Sequence, residues 1–184
     1  SGRFIGSLEG AIKGNVLLRR AQYRMSEDEL LSTHLGSLFI GGKIANHRSI
    51  LRRFLRDHHP DETITAEIEN VICLLKRELG MLPHQHTRLE IMGVEGYSAN
   101  IYFGVFKHLI LNPEFQFEKR SKRPPKDEVN ALLSFFYTLL AHDVRAALET
   151  VGLDAYVGFL HTDRPGRPSL ALDLMEELRG YLVD

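Results

Sequence analysis

Four side chains have the types and positions that metal-assisted chemistry requires. In RLEIMGVEGYSANIYFGVFKHLI, Glu95 falls at helical spacing with Ile91, Met92, Ser98, Ala99, Tyr102 and Phe106, which sets a carboxylate on an apolar face. Such a group is costly to bury without a partner. An ion pair with an arginine would satisfy it; so would a metal ion, or use as a general acid or base on the floor of a cleft. Further along, GFLHTDRPGRPSLALDLMEELR puts His161 on a proline-broken loop ahead of a leucine-rich helix. On that helix Asp173 and Glu176 stand at i, i+3 and can present two carboxylates to one ion. Taken singly, Asp173, Glu176 and Glu177 with Gly180 form an acidic stripe on a surface helix, and His161 is a loop residue. Taken together, one imidazole and two or three carboxylates without a thiolate make a site of mostly hard oxygen ligands, suited to Mg²⁺ or Mn²⁺. Ions of that kind act on phosphates by polarising the phosphoryl oxygen and offsetting charge on the leaving oxygen.

A phosphate substrate also needs cations. The formal net charge of −1 excludes binding of polyanions through net charge alone, so any basic track must be local. FEKRSKRPPKDE supplies Lys119, Arg120, Lys122, Arg123 and Lys126 on a proline-stiffened loop, and in NHRSILRRFLRD the residues Arg48, Arg52 and Arg56 recur every four positions as one stripe. Either segment alone reads as a solvated basic face. Beside a candidate metal site the two point to nucleic acid, where backbone contacts dominate affinity. The pairs His58/His59 and His84/His86 suggest zinc but lack a cysteine partner or helical i, i+4 spacing, and read as loop residues.

These groups need a frame to position them. With 184 residues, 43% hydrophobic, and no run of eighteen apolar residues, the chain reads as one domain or two closely packed ones, with a real core and no membrane span. Ser1 and Gly2 look like a cloning remnant, residues 1–25 like the remainder of an interdomain linker, and residues 26–184 like an α-helical domain. The lone Cys73 cannot form an internal disulfide; it reads as a small core side chain in a reducing compartment, the cytoplasm. Strand signals are confined to FIGSLE and VLLRRAQY, the second of which could equally enter a helix. Ser26 and Glu29 have the form of a capping box opening a helix to about Asp57, although Gly36, Gly41 and Gly42 each weaken it by up to about 1 kcal/mol. Further helices are expected from Thr63 or Thr65 to near Gly80, from about Thr87 to Leu111, from the N-cap Asp127 to the stop at Gly152, and after Ser169 as the cap of the last. The fold class is all-α, with at most a short N-terminal strand segment.

The stretch from FKHLILNPEFQFEKR to SLALDLMEELR resembles the C-terminal helical domain of the CRISPR-associated integrase, the catalytic subunit that inserts new spacers into a CRISPR array. RPPKDEVNALLSF, GLDAYVGFLH and SLALDLMEE carry the likeness, and GNVLLRRAQY and GKIANHRSIL agree with it. The resemblance implies that Glu95, His161 and Glu176 bind a divalent ion, Mg²⁺ or Mn²⁺, with Asp173 orienting, assisting or substituting for Glu176. It implies an endonuclease and integrase acting on DNA, a homodimer in the full-length protein, and a small partner subunit that bridges two catalytic dimers. Glu176 stands where the family commonly has Asp, Phe136 where many members have glycine, and the family's small N-terminal β domain has no counterpart in this sequence. A different class of function also fits a lone domain: a helical nucleic-acid-binding or assembly module without activity.

Overall fold

The computed structural model describes residues 16–184; the FIGSLE strand reading and the Ser1–Gly2 remnant lie outside the described residues. Six α-helices follow in order: α1 (Val16–Glu27), α2 (Glu29–His58), α3 (Glu62–Met81), α4 (Arg88–Val105), α5 (Glu128–Thr150) and α6 (Ser169–Leu182). Short 3₁₀ turns at Leu82–His84 and Phe106–Leu109 close α3 and α4. There is no strand among the described residues, so VLLRRAQY takes its helical alternative inside α1. The fold is all-α, as the pattern of periodic segments and proline-marked loops requires.

Cap chemistry explains most boundaries. Asp28, not Ser26, opens α2: its carboxylate accepts from the Leu30 and Leu31 amides at 3.0 Å each, while the Ser26 hydroxyl donates to the Tyr23 carbonyl inside α1. Asp61 opens α3 in place of the expected threonines, Thr87 and Glu90 form a capping box on α4, and Asp127 caps α5 as read from the sequence. Gly152, at φ +86, turns the chain out of α5. Ser169 is not a cap; it is the first residue of α6 and its hydroxyl donates across to the Thr162 carbonyl at 3.3 Å.

The long helix α2 is the central element, packing against α6 most extensively and also against α1, α3 and α4. Its buried face reads Ile40, Ile44, Leu51 and Phe54, with Lys43 and His47 in the same sector. The glycines that weaken α2 in isolation make room for neighbours. A Cβ on Gly42 would stand 2.7 Å from Glu177 Cγ, one on Gly36 would stand 3.3 Å from Leu160 Cβ, and one on Gly180 of α6 would stand 2.9 Å from the His47 ring. Cys73 is exposed, contrary to the core position expected for it: the buried side of α3 runs through Ile68, Val71, Leu75 and Glu78, and residue 73 falls off that register. On α5, Val129, Leu133, Leu140, Val144 and Leu148 face the core, while Leu132, Phe135, Phe136 and Leu139 are exposed. By length and composition α5 alone among the described helices could cross a membrane; here one side of it packs on protein.

The segment between α5 and α6 has little secondary structure and is held by side chains from α1 and α2. Buried Gln22 donates to the carbonyls of Asp154 (2.8 Å) and Val157 (2.9 Å) and accepts from the Asp154 amide (2.9 Å). Arg19 donates to the Gly152 carbonyl, and Ser32 to that of Phe159 at 2.8 Å. Gly158 has no room for a side chain, since its Cβ would lie 2.7 Å from Ser169 Cβ and 2.9 Å from Asp173 Oδ2. Gly158→Ala is expected to lower stability by about 1–3 kcal/mol through overpacking, read as a drop in the midpoint of urea unfolding without a change in its slope.

Candidate active site

Lys43 projects from the buried face of α2 and is itself 3% exposed. Its ammonium donates to Glu95 on α4 and, at 2.7 Å, to Oε2 of Glu176 on α6. Two of the acids singled out in the sequence therefore meet at a single cationic atom. The other oxygen of Glu176 faces Arg179 Nη1 at 2.8 Å. Burial alone would raise the Glu176 pKa, but Lys43, Arg179 and the nearby His161 outweigh it and hold the carboxyl below its ordinary value.

His161 and Asp173 form the adjoining half. Asp173 is fully buried and spends both oxygens on the segment before it: Oδ2 accepts from the Phe159 and Leu160 amides at 2.6 and 2.9 Å, and Oδ1 from the His161 amide at 3.0 Å. His161 Nδ1 stands 2.6 Å from the same Oδ1. A carboxylate on Nδ1 sets the proton there and leaves Nε2 as the nitrogen able to bind. Both oxygens of Asp173 are thus spent on holding the His161 segment in place. The acidic sector of α6 is accordingly not a surface stripe; Asp173 and Glu176 point inward. The side chains of Glu95 and His161 are 29% and 27% exposed, against 6% for Glu176, so the site opens to solvent past those two.

The donors fit a divalent ion in kind. Two carboxylates from different helices already share one cation, and the loop before α6 adds an imidazole held by Asp173 of the helix that carries Glu176. As they stand, no three His, Cys, Asp or Glu side chains among the described residues are close enough to hold an ion, and the Lys43 ammonium stands between Glu95 and Glu176. The same finding covers the histidine pairs: His58 ends α2, His59 caps it at φ 47, and His84 and His86 are exposed and belong to no three-donor group among the described residues.

Of the basic residues, Lys119, Lys122, Arg123 and Lys126 are exposed. Arg120 instead turns inward, donating to the Ser121 carbonyl (2.8 Å) and to Asn130 Oδ1 (2.7 Å) and lying over the Tyr137 ring. Buried Asn130 holds the loop by accepting from the Ser121 amide and donating to the Lys119 carbonyl. Lys122 lies near enough to feel the site's charges: partial burial of its ammonium lowers its pKa, Arg179 adds to that, and Glu176 and Glu95 oppose it. The stripe Arg48, Arg52 and Arg56 lies on one side of α2, with Arg48 half-buried and Arg56 paired to Asp57 at 2.8 Å.

The sequence reading missed Lys43. A signal was present: Ile40, Lys43, Ile44, His47 and Leu51 share one helical face, and two ionisable side chains on an apolar face imply buried partners. His47 is the second. It stacks on Tyr102 at 3.7 Å with Nε2 3.5 Å from Asp184 Oδ2, and burial lowers its pKa against the opposing pull of Asp184.

The sequence profile of the family described as CRISPR associated protein Cas1 matches residues 1–184. A protein named CRISPR-associated endonuclease Cas1 1 from Chlorobaculum tepidum is 50% identical over 185 residues, and CRISPR-associated endonuclease Cas1 2 from Rhodospirillum rubrum is 51% identical over 193. Each alignment covers 100% of this chain and 54% of the relative, so the chain spans about half the length of the curated relatives it matches. Among solved structures, a partial Cas6-RT-Cas1–Cas2 complex superposes with TM-score 0.82 at 26% identity, covering 99% of this chain and 55% of that one. A casposase bound to integration product superposes with TM-score 0.75 at 29% identity, covering 90% and 47%.

The buried charges carry a pH signature. A carboxyl whose pKa is depressed by folding stabilises the fold above its unfolded-state value and stops doing so as pH falls through the native one. In metal-free buffer near neutral pH, Glu176→Gln is expected to cost about 2–4 kcal/mol. That difference from wild type should shrink once the pH falls below about 4.5. Urea titrations of both proteins across acidic pH measure it.

Proposed function

This chain belongs to the CRISPR-associated Cas1 family, and on that premise we propose that it is the catalytic part of a metal-dependent DNA integrase and endonuclease that works in spacer acquisition. The observation that carries this reading is the meeting of Glu95 and Glu176 at one cation, with Asp173 aiming His161 from the same helix. Glu95, His161 through Nε2 and Glu176 would hold Mg²⁺ or Mn²⁺. When bound, such an ion lowers the barrier to phosphoryl transfer by stabilising charge on the phosphate oxygens. The casposase neighbour is bound to integration product, and the other neighbour is a complex that includes Cas1 and Cas2.

The reaction needs no oxidant and no nucleotide. A DNA 3′-hydroxyl oxygen, or water in the endonuclease reaction, attacks phosphorus; one P–O ester bond forms and another breaks. The proton released by the attacking oxygen is balanced by the proton taken up by the leaving one. The chain's own residues orient the partners. Exposed Lys119, Lys122, Arg123 and Lys126 grip the phosphate backbone on the loop that Asn130 and Arg120 brace, and Lys122 brings that loop to the mouth of the site. The Arg48, Arg52 and Arg56 stripe extends the contact. DNA is the substrate, Asp173 is a positioning residue, and the complete protein works as a homodimer in the cytoplasm with a small partner subunit. A non-catalytic DNA-binding module is disfavoured by the buried carboxylates, which contribute nothing to holding a polyanion.

Glu95→Ala, His161→Ala and Glu176→Ala are each expected to reduce Mn²⁺-dependent cleavage and strand joining about 100-fold or more while leaving DNA affinity nearly intact. Wild-type rates in all three would remove the assignment. Replacing Lys122, Arg123 and Lys126 together by Ala should instead weaken binding across sequences. The slope of log affinity against log salt should flatten by about 2–3, measured by fluorescence anisotropy.

A further inference from the structure

We propose that Lys43 is a built-in counter-cation of the site, and that a divalent ion enters by expelling its ammonium from between Glu95 and Glu176. The inference rests on the reading of Glu95, His161 and Glu176 as the ligands and adds how their ion is admitted. Lys43 is the only lysine in the buried core among the described residues, and its Nζ touches both acids at once. Glu176 is bound on both oxygens, by Lys43 at 2.7 Å and by Arg179 at 2.8 Å, whereas Glu95 is held by Lys43 alone among the described side chains. Without Lys43 the two carboxylates would face each other across a poorly hydrated gap, where like charges repel strongly.

An ammonium and a divalent ion cannot share that gap. Both need the same oxygens, and a metal–oxygen bond of about 2.0–2.2 Å draws the acids closer together than an ammonium between them permits. Charge repulsion across a few ångströms of low-dielectric interior acts in the same direction. The way out is short, because the site opens past the partly exposed Glu95 and a lysine carries four flexible methylenes. Arg179 is placed differently: it approaches Glu176 from within α6, on the oxygen turned away from Lys43, and lies over the Tyr137 ring. It can stay when Lys43 leaves. The lysine therefore balances the charge of the two acids at the expense of their affinity for the ion.

The test is Mn²⁺ binding followed by electron paramagnetic resonance, in phosphate-free buffer without DNA, on wild type, Lys43→Met, Lys43→Gln, Glu95→Ala and Glu176→Ala, with circular dichroism to establish folding. Removal of Lys43 is expected to tighten Mn²⁺ binding about tenfold or more, and Glu95→Ala and Glu176→Ala to weaken it by at least as much. Unchanged or weaker binding in a folded Lys43 variant, with binding still lost in the two alanine variants, overturns this proposal and leaves the ligand assignment standing. Undiminished binding in the alanine variants overturns both. Should neither Lys43 variant fold, a Mn²⁺-soaked wild-type crystal decides. Nζ withdrawn from at least one carboxylate supports the proposal, and Nζ still bonded to both beside a bound ion refutes it.

Discussion

A buried ammonium between two carboxylates is the constraint around which the domain is organised. Charges removed from water are tolerated only when paired and hydrogen-bonded, and here one side chain from α2 satisfies acids from α4 and α6 together. That sets the relative position of three helices more narrowly than apolar packing, which permits sliding at little cost. The polar arrangement continues inward from Glu176. Arg179 lies over the Tyr137 ring, the Tyr137 hydroxyl donates to Asp184, Asp184 faces His47, and His47 stacks on Tyr102. Each member is held by the next, so the core is ordered by direction as well as by volume.

Close approach makes this possible. Gly42, Gly158 and Gly180 stand where α2, α6 and the loop before α6 come nearest, and at each a single added carbon would meet an atom within 3 Å. The residues that reduce the intrinsic stability of α2 allow the neighbouring backbone to come within reach of its lysine. Local propensity has been given up for tertiary geometry, a trade that sequences make most often where a site must be built.

Much of this was legible beforehand, and the failures have physical causes. The helices, the Asp127 cap and the stop at Gly152 follow from periodicity and residue type, and the approach of Glu95 to Glu176 agrees with what the family likeness implies. Ser26 was a plausible cap that lost to Asp28, because a carboxylate two residues later reaches two amides and the serine hydroxyl is used within α1. Cys73 was assigned to the core on residue type alone, where the register of α3 would have placed it outside. Arg120 looked like its basic neighbours, yet Asn130, ten residues on, turns it inward. Lys43 was hidden for a different reason. Its importance depends on two residues more than fifty and more than a hundred and thirty positions away, and nothing local reports that they converge.

His161 and Glu176 are separated by fifteen positions in the chain but not mechanically. Because the carboxylate of Asp173 grips three successive amides and the imidazole itself, the loop is pinned to α6 as firmly as Gln22 and Ser32 pin it to α1 and α2. Only Glu95 is supplied by another helix, α4. The width of the site is thus set by where α4 sits against α6, with the Lys43 side chain of α2 as the spacer between them.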